Sequence, residues 1–123
     1  MTADTVGGVW TYAIELARAL EPFGVEILIA TMGAPLSLAQ RREAEELPHV
    51  AVAESKYQLE WMDEPWDDVD AAGTWLLKLA RRFKADLVHL NGYVHAALPW
   101  NVPVMVVVHS CVLSWWQSVK GNC

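Results

Sequence analysis

The sequence predicts an α/β fold in which helices wind a parallel sheet on both faces, and three observations carry that expectation. Helical apolar stripes alternate along the chain with short β-branched runs. Those runs are apolar at nearly every residue, the pattern of strands buried on both faces. The residues with chemical potential, at 5–8, 91–92 and 109–110, fall where strands end, and sheets of this kind bind ligands beyond the carboxyl ends of their strands.

The first helix is expected from Val9, with Val9, Ala13, Leu16, Ala17 and Leu20 on one stripe and Gly24 closing it in the left-handed conformation. VEILIA, residues 25–30, reads as a doubly buried strand. Ser37 and Gln40 form an S-x-x-Q capping box for a second helix over residues 38–47. VAVAE, residues 50–54, is a modest strand. The acidic, aromatic stretch YQLEWMDEPWDDVD is expected to be a surface loop, ending in Asp67 or Asp68 as the cap of a third helix. That helix places Val69, Ala72, Leu76, Leu79, Ala80 and Phe83 on one face. DLVHL, residues 86–90, is the next strand and ends in Asn91–Gly92. A helical turn over 94–98 leads to VPVMVVVH, residues 102–109, the strongest strand signal in the chain. CVLSWWQSVKGNC then reads as a loop entering another helix.

The bulk numbers limit the function. A length of 123 residues suits one domain. The formal net charge of −6 argues against a nucleic-acid groove, which needs clustered Lys and Arg. The longest apolar run, residues 102–108, contains Pro103 and falls short of the ~20 residues of a spanning helix. Asp4 stands where a secretory leader has basic residues. Two cysteines are too few for a disulfide framework, so a cytoplasmic protein is expected.

Gly7–Gly8, directly ahead of a helix, lets the backbone turn sharply and exposes N–H groups at the positive end of the helix dipole, an arrangement that favours phosphate. A plain strand-to-helix turn explains the same pair, because neither G-x-G-x-x-G nor G-K-[ST] is present. His109, at the end of the strongest strand and followed by Ser110, is placed to donate to a sugar hydroxyl, a phosphate or a developing charge; a bond to a loop carbonyl is the alternative. His95 could line the same crevice, His89 reads as a satisfied strand histidine, and His49 as surface. No metal-ligand spacing occurs. Ser110 lacks a nucleophile elbow, which argues against a hydrolase. Trp61, Trp66, Trp115 and Trp116 lie in loop-like stretches where rings could stack on a sugar or simply pack.

Three segments then align: DTVGGVWTYAIELARAL, DLVHLNGYVHAALPW and VPVMVVVHSCVLSWW. Together they resemble the N-terminal, Rossmann-like domain of a GT-B fold glycosyltransferase of the GT4 group, relatives of bacterial glycogen synthase and sucrose synthase. The resemblance implies sugar transfer from a nucleotide-sugar donor, a co-substrate rather than a cofactor, with retained anomeric configuration and no metal. It implies that Gly7 and Gly8 approach the donor diphosphate and that His109 lies near the reaction centre. It also implies that Asn91, Gly92, Tyr93, His95 and Ser110 shape the side that takes a sugar-containing or small-molecule acceptor.

The family's nucleotide domain, with its E-x7-E-like motif, has no counterpart in residues 1–123. The family's first strand should precede the glycine turn, where only residues 1–4 stand. The expectation is therefore a fold truncated at both ends, lacking its first strand and inactive alone. The alternatives are the lobe of a GT-B-type nucleotide-sugar epimerase and a non-catalytic α/β anion-binding module.

Overall fold

A computed structural model of the chain describes residues 1–5, 8–55, 66–92 and 94–107. The elements are β1 (Thr2–Asp4), α1 (Gly8–Leu20), β2 (Ile27–Met32), α2 (Leu38–Glu45), β3 (Val50–Glu54), α3 (Trp66–Phe83), β4 (Val88–Leu90) and β5 (Val104–Val106). β1, β2 and β3 form one parallel sheet in that order, and β4 pairs in parallel with β5. β1 also lies against β4, where the Asn91 N–H donates to Thr2 Oγ1 at 3.0 Å and Asn91 Nδ2 donates to the Thr2 carbonyl at 2.7 Å. The strands thus run β3-β2-β1-β4-β5 in space. This is the order of a doubly wound sheet, with the chain stepping outward in both directions from β1.

The first correction concerns β1. Residues 1–4 are not an empty lead-in: Thr2, Ala3 and Asp4 pair with Ala30, Thr31 and Met32 of β2. Small residues carry little β signal by themselves, and the strand is held by burial of Thr2 and Ala3 between its neighbours. Ahead of it the Met1 ammonium donates to the Leu28 carbonyl at 2.8 Å, continuing the ladder.

The expected helices form with shifted limits. α1 buries Ala13 and Ala17 of the expected stripe together with Trp10 and Ile14, while Val9 and Leu20 pack partly buried at the edge of the core. The larger side chains Trp10 and Ile14 turn toward the cluster formed with Ala3, Ile27, Ile29, Leu36, Ala44 and Leu47. Leu16 and Leu20 instead line a cavity of about 560 Å³ with Leu76, Leu79, Phe83 and Leu87, beside the amino ends of β2 and β4. Gly24 has φ +71°, the left-handed conformation expected of it, but it closes a single 3-10 turn, Glu21–Phe23, that follows α1. β2 begins two residues later than the apolar run, because Val25 and Glu26 are exposed.

α3 already includes Trp66, so Asp67 and Asp68 lie within its first turn rather than at its cap. Acidic residues there still favour the helix dipole. Among the described residues β5 begins at Val104, two residues after the start of the expected strand, with Met105 and Val106 exposed; residues 108 and 109 of that run lie outside the described residues. His49 is not a free surface residue. Its Nε2 donates to the Ala17 carbonyl at 2.7 Å, tying the approach to β3 to α1. The loop carrying Trp61, and the segment holding Trp115 and Trp116, lie outside the described residues.

The capping box of α2 forms in full: Ser37 Oγ accepts from the Gln40 N–H at 3.1 Å, and Gln40 Oε1 accepts from the Ser37 N–H at 2.9 Å. Ser37→Ala is expected to lower stability by about 1 kcal/mol, read as a reduced urea midpoint at unchanged slope.

Candidate functional site

β1 and β4 are neighbours, with Asn91, the residue after β4, bonded to Thr2 at the start of β1, and each strand leads into a segment singled out in the sequence. β1 passes through Thr5 toward α1, whose first residue is Gly8. Gly8 is exposed, and a Cβ built on it meets no atom within 4 Å. The protein's own packing therefore does not require glycine there, which leaves room for an external group at the helix start. Gly7 lies outside the described residues.

Thr5 is anchored from several sides. Its Oγ1 donates to the Ala34 carbonyl at 2.6 Å, its N–H donates to the Met32 carbonyl at 3.3 Å, and its carbonyl accepts from Gln40 Nε2 at 3.0 Å. The loop after β2 and the start of α2 thereby fix the backbone that enters α1. β3 joins the same arrangement: Glu54 accepts from the Leu36 N–H at 3.2 Å and pairs with Arg41 at 3.0 Å.

On the β4 side, Asn91 and Gly92 follow the strand and are half-buried. Asn91 Nδ2 is committed to the Thr2 carbonyl, an acceptor only, so its Oδ1 is the atom 3.1 Å from His89 Nε2. An oxygen facing that nitrogen requires His89 to carry its proton on Nε2. The Tyr12 hydroxyl of α1 lies 3.4 Å from the same nitrogen, with the two rings tilted at a centroid distance of 5.9 Å. α1, β1 and β4 are thus joined by one polar network directly beneath the Asn91–Gly92 turn. His89 is buried, as its place within a strand leads one to expect.

His95 is brought to a different neighbour. It is buried, and its Nε2 donates to the Val69 carbonyl of α3 at 2.8 Å, while Trp100 Nε1 donates to the His95 carbonyl at 2.9 Å. Gly73 of α3 makes room for this turn: a Cβ there would stand 3.3 Å from the His95 ring and 3.2 Å from Leu98. The imidazole therefore clamps the turn after β4 to α3. Tyr93, His109 and Ser110 lie outside the described residues.

Sequence reading missed Tyr12, and it gave Gln40 only a local capping role. Both bonds in question join residues far apart in the chain, Tyr12 to His89 and Gln40 to Thr5, and such pairs leave no periodic trace. Among the described residues, no group of three or more His, Cys, Asp or Glu could hold a metal ion. Among them, too, no helix is long and apolar enough to cross a membrane.

A doubly wound parallel sheet with helices between its strands defines a Rossmann-like lobe, and folds of this kind bind ligands beyond the carboxyl ends of their strands. The family follows from the sequence itself. The chain matches the model of Glycosyltransferase Family 4 over residues 6–122 and belongs to that family as its N-terminal domain. No curated protein and no solved structure matches it.

Proposed function

We propose that this domain is the acceptor-side lobe of a retaining GT-B glycosyltransferase, which moves a sugar from a nucleotide-sugar donor to a sugar-containing or small-molecule acceptor. A second domain holds the nucleotide, and residues 1–123 alone are inactive. The observation that carries the reading is the open space at Gly8, at the start of α1, together with the Asn91–Gly92 segment fixed to β1. The family match over both segments supports it.

In this reading, the glycosidic bond to the diphosphate breaks and a bond from the sugar to the acceptor oxygen forms. The diphosphate departs with the negative charge, and the acceptor gives up its proton. The N–H groups of the Gly7–Gly8 turn meet that departing charge, and His109 stands near the reaction centre. Asn91, Gly92, Tyr93 and Ser110 shape the acceptor side, with His95 holding their turn to α3. Fixed donors and positioning supply the catalysis without a metal or a cofactor, in the reducing cytoplasm.

The test is titration of a nucleoside diphosphate into the protein joined to its second domain. Gly8→Val places a branched side chain where a Cβ meets no atom within 4 Å and is expected to weaken binding about tenfold. Equal affinity would remove the glycine turn from the site. Turnover of a nucleotide sugar by residues 1–123 would overturn their inactivity. Epimerisation of the donor sugar by the two-domain protein, without transfer, would identify the epimerase reading instead. Anion binding with no turnover would identify a binding module.

A further inference from the structure

Gln40 uses both ends of its side-chain amide. Its Oε1 accepts from the Ser37 N–H at 2.9 Å, which is the capping-box bond, while its Nε2 donates to the Thr5 carbonyl at 3.0 Å. A capping box is satisfied equally by glutamate or glutamine at this position. The second bond is not: Thr5 offers a carbonyl oxygen, and an amide can accept from Ser37 and donate to Thr5 at once, whereas an ionised glutamate can only accept. The bond crosses 35 residues of sequence, from the first turn of α2 to the residue that follows β1.

We propose that Gln40 is a positioning residue for the approach to α1, holding the Thr5 carbonyl, where β1 leaves the sheet, to the start of α2. Thr5 is otherwise tied to the loop after β2 through Ala34 and Met32, so Gln40 supplies the link to a helix. The α2 start is in turn fixed to β3, because Glu54 binds both Leu36 and Arg41. Thr5 is thereby tied to α2 and β3 as well as to its own strand. For the diphosphate this inference rests on the reading given above; for the backbone it does not.

Two variants separate the roles. Gln40→Glu keeps the acceptor for Ser37 and replaces the donor to Thr5 with an oxygen, whereas Ser37→Ala removes the cap and leaves the Thr5 bond in place. In amide NMR spectra of the chain, Gln40→Glu is expected to shift the Thr5 and Gly8 resonances while its thermal midpoint stays within about 2 °C of the parent. Ser37→Ala is expected to lower the midpoint and leave those resonances in place. Acidifying Gln40→Glu gives the new carboxyl a proton to donate, and the shifted resonances return toward their parental positions. In the two-domain protein, Gln40→Glu weakens nucleoside diphosphate binding about fivefold at neutral pH. Unmoved Thr5 and Gly8 resonances, or shifts that acid does not reverse, would overturn the proposal. If the parent protein itself binds no diphosphate, the reading of the site fails, while the spectral comparison still decides the role of Gln40.

Discussion

Replacing Ile29 with alanine is expected to lower the unfolding free energy by about 3–4 kcal/mol, as removal of a fully buried isoleucine side chain commonly does. Ile29 is 0% exposed in β2, the strand that pairs with both β1 and β3. It lies in the cluster that joins the sheet to α1 and α2 through Ile14, Ala17, Leu36 and Ala44. A backbone held by strands on both sides cannot collapse into the void, so the cavity term adds to the lost transfer energy. Ile29→Val removes one methyl group and should cost about 1 kcal/mol. Met105, 43% exposed in β5, provides the contrast, and Met105→Ala should change stability by under about 1 kcal/mol. Urea titrations read all three, with the Ile29→Ala midpoint falling furthest. An Ile29→Ala loss no larger than that of Met105→Ala would contradict the placement of β2 at the centre of its sheet.

The second large effect is one of pH. Burial lowers the pKa of the Met1 ammonium from 8.0 to about 6, because desolvation disfavours its charged form. Between those values the unfolded chain binds the proton and the folded chain releases it, so stability rises with pH. At about 1.4 kcal/mol per unit, the chain should be roughly 3 kcal/mol more stable above pH 8 than below pH 6 through this group alone. Acetylating the α-amine removes the charge and keeps an N–H for the Leu28 carbonyl. Denaturant melts at pH 5.5 and 8.5 should therefore differ more for the free amine than for the acetylated chain. Identical pH profiles for the two would show that the amine is hydrated in the folded protein.

The sheet was legible because parallel strands buried on both faces leave continuous apolar runs, as in VEILIA; VPVMVVVH carries the same kind of run, although Met105 and Val106 of β5 are exposed. The starts of the strands were less legible, because hydropathy does not record where pairing begins. Val25 and Glu26 precede β2, and Val102 and Pro103 precede β5. β1 left no apolar run at all, being built from Thr2, Ala3 and Asp4. The capping box was visible because its two partners are three residues apart, whereas the second bond of the same glutamine was not. Asn91 was visible as a strand-end residue. Its commitment to Thr2 and His89 depends on which strands are neighbours, and no local pattern encodes that. His95 shows the limit from the other side: a histidine in a promising stretch, whose ring serves the contact with α3.

The seam between β1 and β4 has a consequence for the order in which the molecule assembles. β1, α1, β2, α2 and β3 all lie within the first 54 residues and can pair as soon as that length is free to fold. The seam is closed by Asn91 and Thr2, 89 positions apart, so the inner edge of β1 must wait for most of the chain. Closing so long a loop loses more entropy than any earlier pairing here and rewards it with few bonds. Joining the two sheets is therefore the late, slow event, and until then β1 presents an open edge on which a second chain could pair.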